Sequence, residues 1–435
     1  MSWLIGGLVF LLIAGFAKLT AIGVNRLLAI PQPKWMVGAT EIIQLSLIPL
    51  YAWWLIASFR KYDAELGNHL WNATTPLEVV LIGMGIVGFV LLVRSTIAFQ
   101  RYRPPNCQIE VESRIVDFRA DFKTRFREGE PPAEPVLQHG QAQTEHRPSS
   151  SQEAAPLMST DRSWRETLVG SRPMRRIALL PGNEQFSVEV STKTFSLPNL
   201  PNEWDGLSIV QLADTHFRGA VTRKYFEEVC EQALALKPDL FVFTGDLLDA
   251  PSLLDWLPET FGRLQAPLGQ YFILGNHDWY LDANSIRKEF ERHGWIDMAS
   301  RWIELASRKS GPPIILAGDE SPWMGTHPDM SQVSGELFRI LFSHTPDNIT
   351  WARDHLFDLM FAGHTHGGQI RLPLLGPVYS PSRFGCRFAS GVFWLDPTLL
   401  YVSRGLSGRE PIRYNCLPEL TKLVLRSCDA YPSAG

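Results

Sequence analysis

Cysteine is scarce in this sequence: Cys107, Cys230, Cys386, Cys416 and Cys428 are five in 435 residues, odd in number, widely spread and without a Cys-x-x-Cys pair. That excludes a disulfide framework and a zinc-thiolate site. Cys230 lies in a helical pattern and reads as a small buried hydrophobe. Excess positive charge is also missing, since 41 Lys and Arg face 45 Asp and Glu for a net charge of −4. No basic surface follows from that balance, and nucleic acid is not an expected partner. The leader Met1-Ser2-Trp3 lacks the positive region of a secretory signal. We therefore expect the first apolar run to be an uncleaved anchor. No internal repeat is visible. Apolar content is not lacking: 45% of the chain is hydrophobic, which excludes disorder throughout.

Three apolar runs fill the first hundred residues, Trp3 to Ile22, Trp35 to Phe59 and Val79 to Phe99. Each is near the length that crosses about 30 Å of hydrocarbon as a helix. Residues 1–103 are thus expected to form an anchor of about three transmembrane helices in a bilayer, the bacterial inner membrane being the expected location. Lys18, Arg26 and Lys34 in the first connection and Arg94, Arg101 and Arg103 after the third run place the carboxy-terminal domain in the cytoplasm. Residues 104–172 are expected to form a juxtamembrane segment and tether. Val111, Ile115, Phe118 and Phe122 recur at helical spacing, predicting within Cys107 to Arg127 either a surface helix near the bilayer or a short helix packed on the catalytic domain. From Glu128 to Arg172 the chain is rich in Pro, Gln, Ser, Glu and Gly, predicting disorder.

From residue 173 to 435 the pattern changes to a globular domain. Ile177 to Leu180 and Phe186 to Val190 read as short strands, and Leu207 to Leu212 as a buried strand that delivers an acid at its tip. Helical patterns at Arg223 to Leu236 and Asn284 to His293 alternate with apolar runs at Leu240 to Thr244, Tyr271 to Leu274, Ile314 to Ala317, Leu337 to Phe342 and Leu359 to Ala362. Such alternation predicts an α/β layered fold with ligands at strand ends.

Five short motifs follow those runs: Asp214-Thr215-His216, Gly245-Asp246, Gly275-Asn276-His277-Asp278, Ser343-His344 and Gly363-His364-Thr365-His366-Gly367-Gly368-Gln369. Five of the eleven histidines lie in them, a concentration that points to a shared site. Two divalent cations need a bridging carboxylate and a mixed oxygen and imidazole shell, and this set offers both. Mixed ligation suits Mn, Fe, Zn or Co better than Ca.

In order and spacing these motifs resemble the calcineurin-like metallophosphoesterases, and more narrowly the membrane-associated YkuE and YaeI-like branch. Supporting stretches are Gly363 to Val378, Ile315 to Met324 and Tyr401 to Tyr414. The resemblance implies a β-sandwich flanked by helices. It also implies that Asp214, His216 and His366 hold one cation, that Asn276, His344 and His364 hold the other, and that Asp246 bridges them. His277 would be the general acid, oriented by Asp278. Arg218, Arg371 and Arg404 are candidates for binding the substrate phosphate, since arginine suits bidentate oxyanion recognition, and Arg404, in the Val-Ser-Arg-Gly stretch, is preferred. The expected activity is hydrolysis of phosphoester or pyrophosphate bonds by metal-activated water. The expected substrate is a phosphorylated small molecule or lipid, such as a phospholipid or a nucleotide-linked lipid, because anchoring concentrates both partners. The competing reading is a signalling or scaffold membrane protein that uses the same fold only to bind.

Overall fold

The computed structural model describes residues 2–28, 46–57, 76–101, 110–120, 160–170, 172–307, 310–333, 336–373, 376–377 and 379–428. Within these lie fifteen strands: β1 (Glu110–Asp117), β2 (Ser187–Leu197), β3 (Ser208–Leu212), β4 (Leu240–Thr244), β5 (Gln270–Ile273), β6 (Ile296–Asp297), β7 (Arg301–Leu305), β8 (Ile314–Asp319), β9 (Arg339–Ser343), β10 (Leu359–Ala362), β11 (Arg371–Leu372), β12 (Gly376–Pro377), β13 (Gly391–Leu395), β14 (Thr398–Val402) and β15 (Glu419–Ser427). Seven form one sheet in the order β1-β2-β15-β3-β4-β5-β6, six form a second in the order β13-β14-β10-β9-β8-β7, and β11 and β12 make a small ribbon.

The apolar runs are continuous because their strands are buried on both faces. In β4, Leu240 and Val242 point into the layer between the sheets, while Phe241 and Phe243 point beneath the outer helices. In β9 and β10, Ile340, Phe342, Leu359 and Phe361 meet that same middle layer, and Leu341, Met360 and Ala362 face the opposite side. The result is a β-sandwich with helices outside it. Helix Arg223–Ala235 buries Phe226, Val229, Cys230 and Ala233 at intervals of three and four, so one stripe meets the sheet. Helix Ala283–Arg292 starts where Asp282 accepts a hydrogen bond from the Ser285 amide, and it lays Phe290 against Phe243 and Phe272. Parallel pairing of β3, β4 and β5, and of β8, β9, β10 and β14, points their carboxy-terminal ends the same way within each sheet.

Three sequence expectations are corrected here. The segment expected as a surface helix contains β1, paired antiparallel with β2 along Glu110 to Asp117. Val111 and Ile115 are four apart, which suits one face of a strand as well as one face of a helix, and the open edge of β2 decides between them. Ile177 and Ala178, expected in a strand, end helix Arg172–Ala178. Residues 160–168, expected in the tether, form helix Thr160–Leu168, whose Trp164 and Leu168 enter the same core as Phe118. Residues 128–159 and 171 of that tether lie outside the described residues.

Near the amino terminus, Ser2–Leu28 and Pro76–Arg101 are helices and residues 46–57 are helical. Over the described residues no helix is long and apolar enough to cross a membrane; residues 29–45 and 58–75 of the expected three-span anchor lie outside the described residues. The two long helices cross at glycines: a Cβ on Gly88 would lie 1.8 Å from the Gly15 carbonyl oxygen. Phe16 stacks on Tyr51 at 3.9 Å between ring centroids. Both long helices also touch the Gly385–Phe388 turn of the sandwich.

Candidate metal centre

Five loops leave the carboxy-terminal ends of β3, β4, β5, β9 and β10 and converge between the sheets. They carry Asp214 and His216, Asp246, Asn276 and His277, His344, and His364 and His366 respectively. Ligands at strand ends follow from the parallel pairing, since all these loops open on one side. Asp214, His216, Asp246 and His366 form one group whose ligand atoms lie within 4.8 Å of one another, and Asp246, His344 and His364 form a second. Asp246 belongs to both. The Asn276 Oδ1 stands 2.9 Å from His344 Nε2, which adds it to the second group.

The loop backbone is unusual in a consistent way. Asp214, His216, Asp246, His364 and His366 all have positive φ, from 46° to 68°. Few non-glycine residues adopt that region, at a cost of about 1 to 3 kcal/mol each, and such strain clusters at functional sites. Gly245 precedes Asp246 with φ of 94°, and a Cβ on Gly275 would lie 2.2 Å from Asp246 Oδ1. Any side chain at Gly275 would push the loops apart.

Hydrogen bonds assign each ring a direction. His344 Nδ1 donates to the Thr244 carbonyl at 2.8 Å and His366 Nδ1 to the Ser407 carbonyl at 3.1 Å, so both turn Nε2 to the centre. There His216 Nε2 lies 3.2 Å from His366 Nε2, and His364 Nδ1 lies 3.2 Å from His344 Nε2. Asp214 Oδ2 and Asp246 Oδ2 are buried without a hydrogen-bond partner. Facing imidazole nitrogens and orphaned carboxylate oxygens cost free energy in a protein-only site, and cations remove that cost. The donor set therefore fits two divalent cations. Burial lowers the pKa of His364 to about 3, helped by His344, and holds His366 well below the usual range, so both stay in the neutral form that ligates metal. Burial opposes ionisation of Asp246, but His344, His277 and His216 outweigh it and keep that carboxyl well below its usual range.

Comparison with known proteins agrees with this geometry. The family model for calcineurin-like phosphoesterases matches residues 207–368. The uncharacterized metallophosphoesterase YkuE of Bacillus subtilis is 32% identical over 252 residues, which cover 56% of this chain and 87% of that protein. The chain belongs to the calcineurin-like phosphoesterases. It is also similar to the phosphodiesterase YaeI of Escherichia coli, 28% identical over 50% of this chain and 81% of that one. The UDP-2,3-diacylglucosamine pyrophosphatase LpxG of Chlamydia trachomatis is 26% identical over 54% of this chain and 88% of its own length. The phosphoesterase is thus a metal-dependent hydrolase of the YkuE and YaeI branch.

Two expected residue roles are corrected. Asp278 does not touch the His277 ring: its carboxylate accepts hydrogen bonds from the amides of Asp246, Leu247, Leu248 and Gly275 at 2.9 to 3.3 Å. It pins the β4 loop to the β5 loop. His277 Nδ1 instead meets Asp249 at 2.5 Å, and the other Asp249 oxygen lies 3.3 Å from His216 Nδ1. Burial alone would depress His277, but Asp246 and Asp249 raise it to about 9. Asp249 went unnoticed in the sequence, although its place three residues after Asp246 on a strand-end loop was a usable signal.

Arg404 is the second correction. Its guanidinium is committed to Glu189 and Glu419, and it does not line the cavity over the centre. Arg371 likewise serves Gly367 and Ser390. The cavity, about 320 Å³, is lined by His216, His277, His364, His366, Arg218, Arg409, Glu410, Tyr280 and Tyr379 among others. Trp323 is buried against the rings of His344 and His364, centroids 5.7 and 4.9 Å away, and so backs the second ligand group. His293, His327 and His355 do not line the cavity.

Proposed function

We propose that this phosphoesterase is a membrane-anchored hydrolase of phosphodiester or pyrophosphate bonds, with a phosphorylated lipid or nucleotide-linked lipid as substrate. Asp214, His216 and His366 would hold one divalent cation and Asn276, His344 and His364 the other, with Asp246 shared. The observation that carries this reading is the convergence of all seven side chains from five strand-end loops, five of the seven in left-handed backbone. Bound there, the two cations would supply a nucleophilic water and a counter-charge for the phosphoryl oxygens.

The remaining chemistry belongs to the chain itself. Asp249 orients His277 through Nδ1, leaving Nε2 to deliver a proton to the leaving oxygen. A residue raised to about 9 is protonated at neutral pH, as an acid must be. The amide of His277 also donates to Asp246 Oδ1 at 2.8 Å, and that of His364 to Asp214 Oδ1 at 2.9 Å. Those bonds aim the second oxygen of each carboxylate at the centre.

Anchoring is supported by the three apolar runs of the first hundred residues and by the contact of both long helices with the sandwich. A lipid substrate is supported by the similarity to a diacylglucosamine pyrophosphatase. The reading is tested by purifying the full chain in detergent, counting bound metals by mass spectrometry, and assaying aryl phosphodiesters with Mn, Fe, Zn and Co. About two transition-metal ions per chain and turnover that vanishes in Asp246→Asn are the expected results. Turnover without metal after chelation would refute it. Sedimentation of the chain with membranes after a carbonate wash tests the anchor separately.

A further inference from the structure

Asn276, His344 and His364 are braced by one loop that carries no ligand itself. That loop, residues 320–323, follows β8, whose last residue Asp319 pairs with Ser343 at the end of β9. Glu320 is 1% exposed, and its Oε1 accepts a hydrogen bond from the Leu274 amide at 2.6 Å, two residues before Asn276. Its other oxygen pairs with Arg287, which also reaches Asp297 at 2.9 Å, so the carboxylate ties the β5 exit to helix Ala283–Arg292 and to β6. Displacing Glu320 would leave a buried charge without its partner, which makes the brace stiff. Asn348 does the same for β9: its Nδ2 lies 2.9 Å from Asp319 Oδ2, 2.9 Å from the Ser321 carbonyl and 3.1 Å from the Oγ of Ser343, the residue before His344. Trp323 closes the set from behind, against the rings of His344 and His364. The side chains assigned to the first cation hang on other partners. Asp214 accepts from the His364 amide, His216 faces Asp249, and His366 donates to the Ser407 carbonyl.

From this asymmetry we propose that Glu320 and Trp323 are positioning residues for the second cation, setting how tightly Asn276, His344 and His364 hold it without acting on the first. The inference rests on the two-cation reading above and extends it to two side chains that do not line the cavity. A ligand side chain binds a cation well when its orientation is fixed before the cation arrives, and the partners behind it then matter about 10- to 100-fold in affinity. The need is greater at the second position than at the first. Besides the shared Asp246 it offers an amide and two imidazoles, all neutral when they ligate, whereas the first position adds the Asp214 carboxylate. With less charge to attract the cation, the second position depends more on geometry held in place. Glu320 supplies that geometry through the backbone of β5, and Trp323 supplies it by packing on two of the ligand rings.

The test loads the metal-free full chain in detergent with Mn alone and follows electron paramagnetic resonance. Two Mn ions that share Asp246 are spin-coupled, whereas one Mn by itself gives an ordinary six-line spectrum. Wild type should fill to about two Mn per chain with the coupled signal. Glu320→Gln strips the charge from the brace but keeps its size, and Trp323→Leu removes the ring. Each should fill the first position as wild type does, with the six-line signal at one Mn per chain, and reach the coupled signal only at about 10- to 100-fold more Mn. Trp323→Phe keeps a ring against both imidazoles and should recover most of the affinity. A variant whose metal-free circular dichroism departs from that of wild type is replaced by Ser343→Ala, which cuts only the link from Asn348 to β9 and should weaken the second Mn in the same selective way. Unchanged binding of both ions, or equal weakening of both, would overturn the positioning role while the coupled pair of the wild type leaves the two-cation reading standing. A wild type that never shows a coupled pair overturns both.

Discussion

At the scale of single residues, the division of labour between Asp249 and Asp278 makes distinct predictions. A general acid works while protonated, so activity is lost as pH rises through its pKa. His277 is held up to about 9 by Asp246 and Asp249 against burial. Asp249→Asn removes one of those two supports, and the alkaline limb of the kcat/KM profile should move to lower pH. An unmoved limb would show that Asp249 does not govern His277. Asp278→Asn should act on stability instead, because its carboxylate caps four loop amides. Glu419 offers a third case. Burial would raise its pKa, but Lys193 and Arg404 hold it far below its ordinary 4.5. A depressed carboxylate stabilises the fold above the unfolded value, and that contribution fades as pH falls below about 4.5. Glu419→Gln should therefore cost about 3 kcal/mol in urea unfolding at pH 7, with the gap closing in acid.

At the scale of elements, β1 and helix Thr160–Leu168 belong to the sandwich although their sequences read as a surface helix and as tether. Phe118 meets Tyr225 edge-on at 5.4 Å and Trp164 meets Phe186 at 5.5 Å. A fragment starting at Pro173 loses both aromatics and uncovers the edge of β2, so it should melt well below one starting at Cys107 and aggregate more readily. Equal melting temperatures would mean that β1 contributes nothing. The central strands were legible because burial on both faces leaves unbroken apolar runs. The site was legible because its donors follow those runs directly. What escaped was lateral information. Neighbouring side chains in the short helix Asn276–Trp279 diverge by about 100°, so Asp278 cannot serve His277 despite standing next to it. Trp164 and Leu168 show only two apolar positions in a polar stretch, too few for periodicity to register. The commitment of Arg404 depends on Glu189, 215 residues away in sequence.

At the scale of the whole molecule, the centre ties the two sheets together through loops from both. Metal bound there stabilises the native state over the unfolded one by linkage. Chelation should lower the melting temperature of the full chain, and added Mn should restore it in a concentration-dependent way, a change that calorimetry can follow without any substrate. The crossing of the two long helices is a separate unit. Gly88→Leu should disrupt that crossing, since even one added carbon would strike the Gly15 carbonyl, while cleavage of a small aryl phosphodiester continues.

The left-handed backbone under five of the donors also restricts what can ever replace them. Aspartate, asparagine and histidine are the non-glycine residues that tolerate this region best, and all three are metal ligands. Drift among those three leaves each loop's path intact while changing the charge presented to a cation by a single step. The scaffold thus permits exchange of one metal preference for another by point substitution, whereas a β-branched residue or a bulky hydrophobe at the same positions would have to rebuild the loop first.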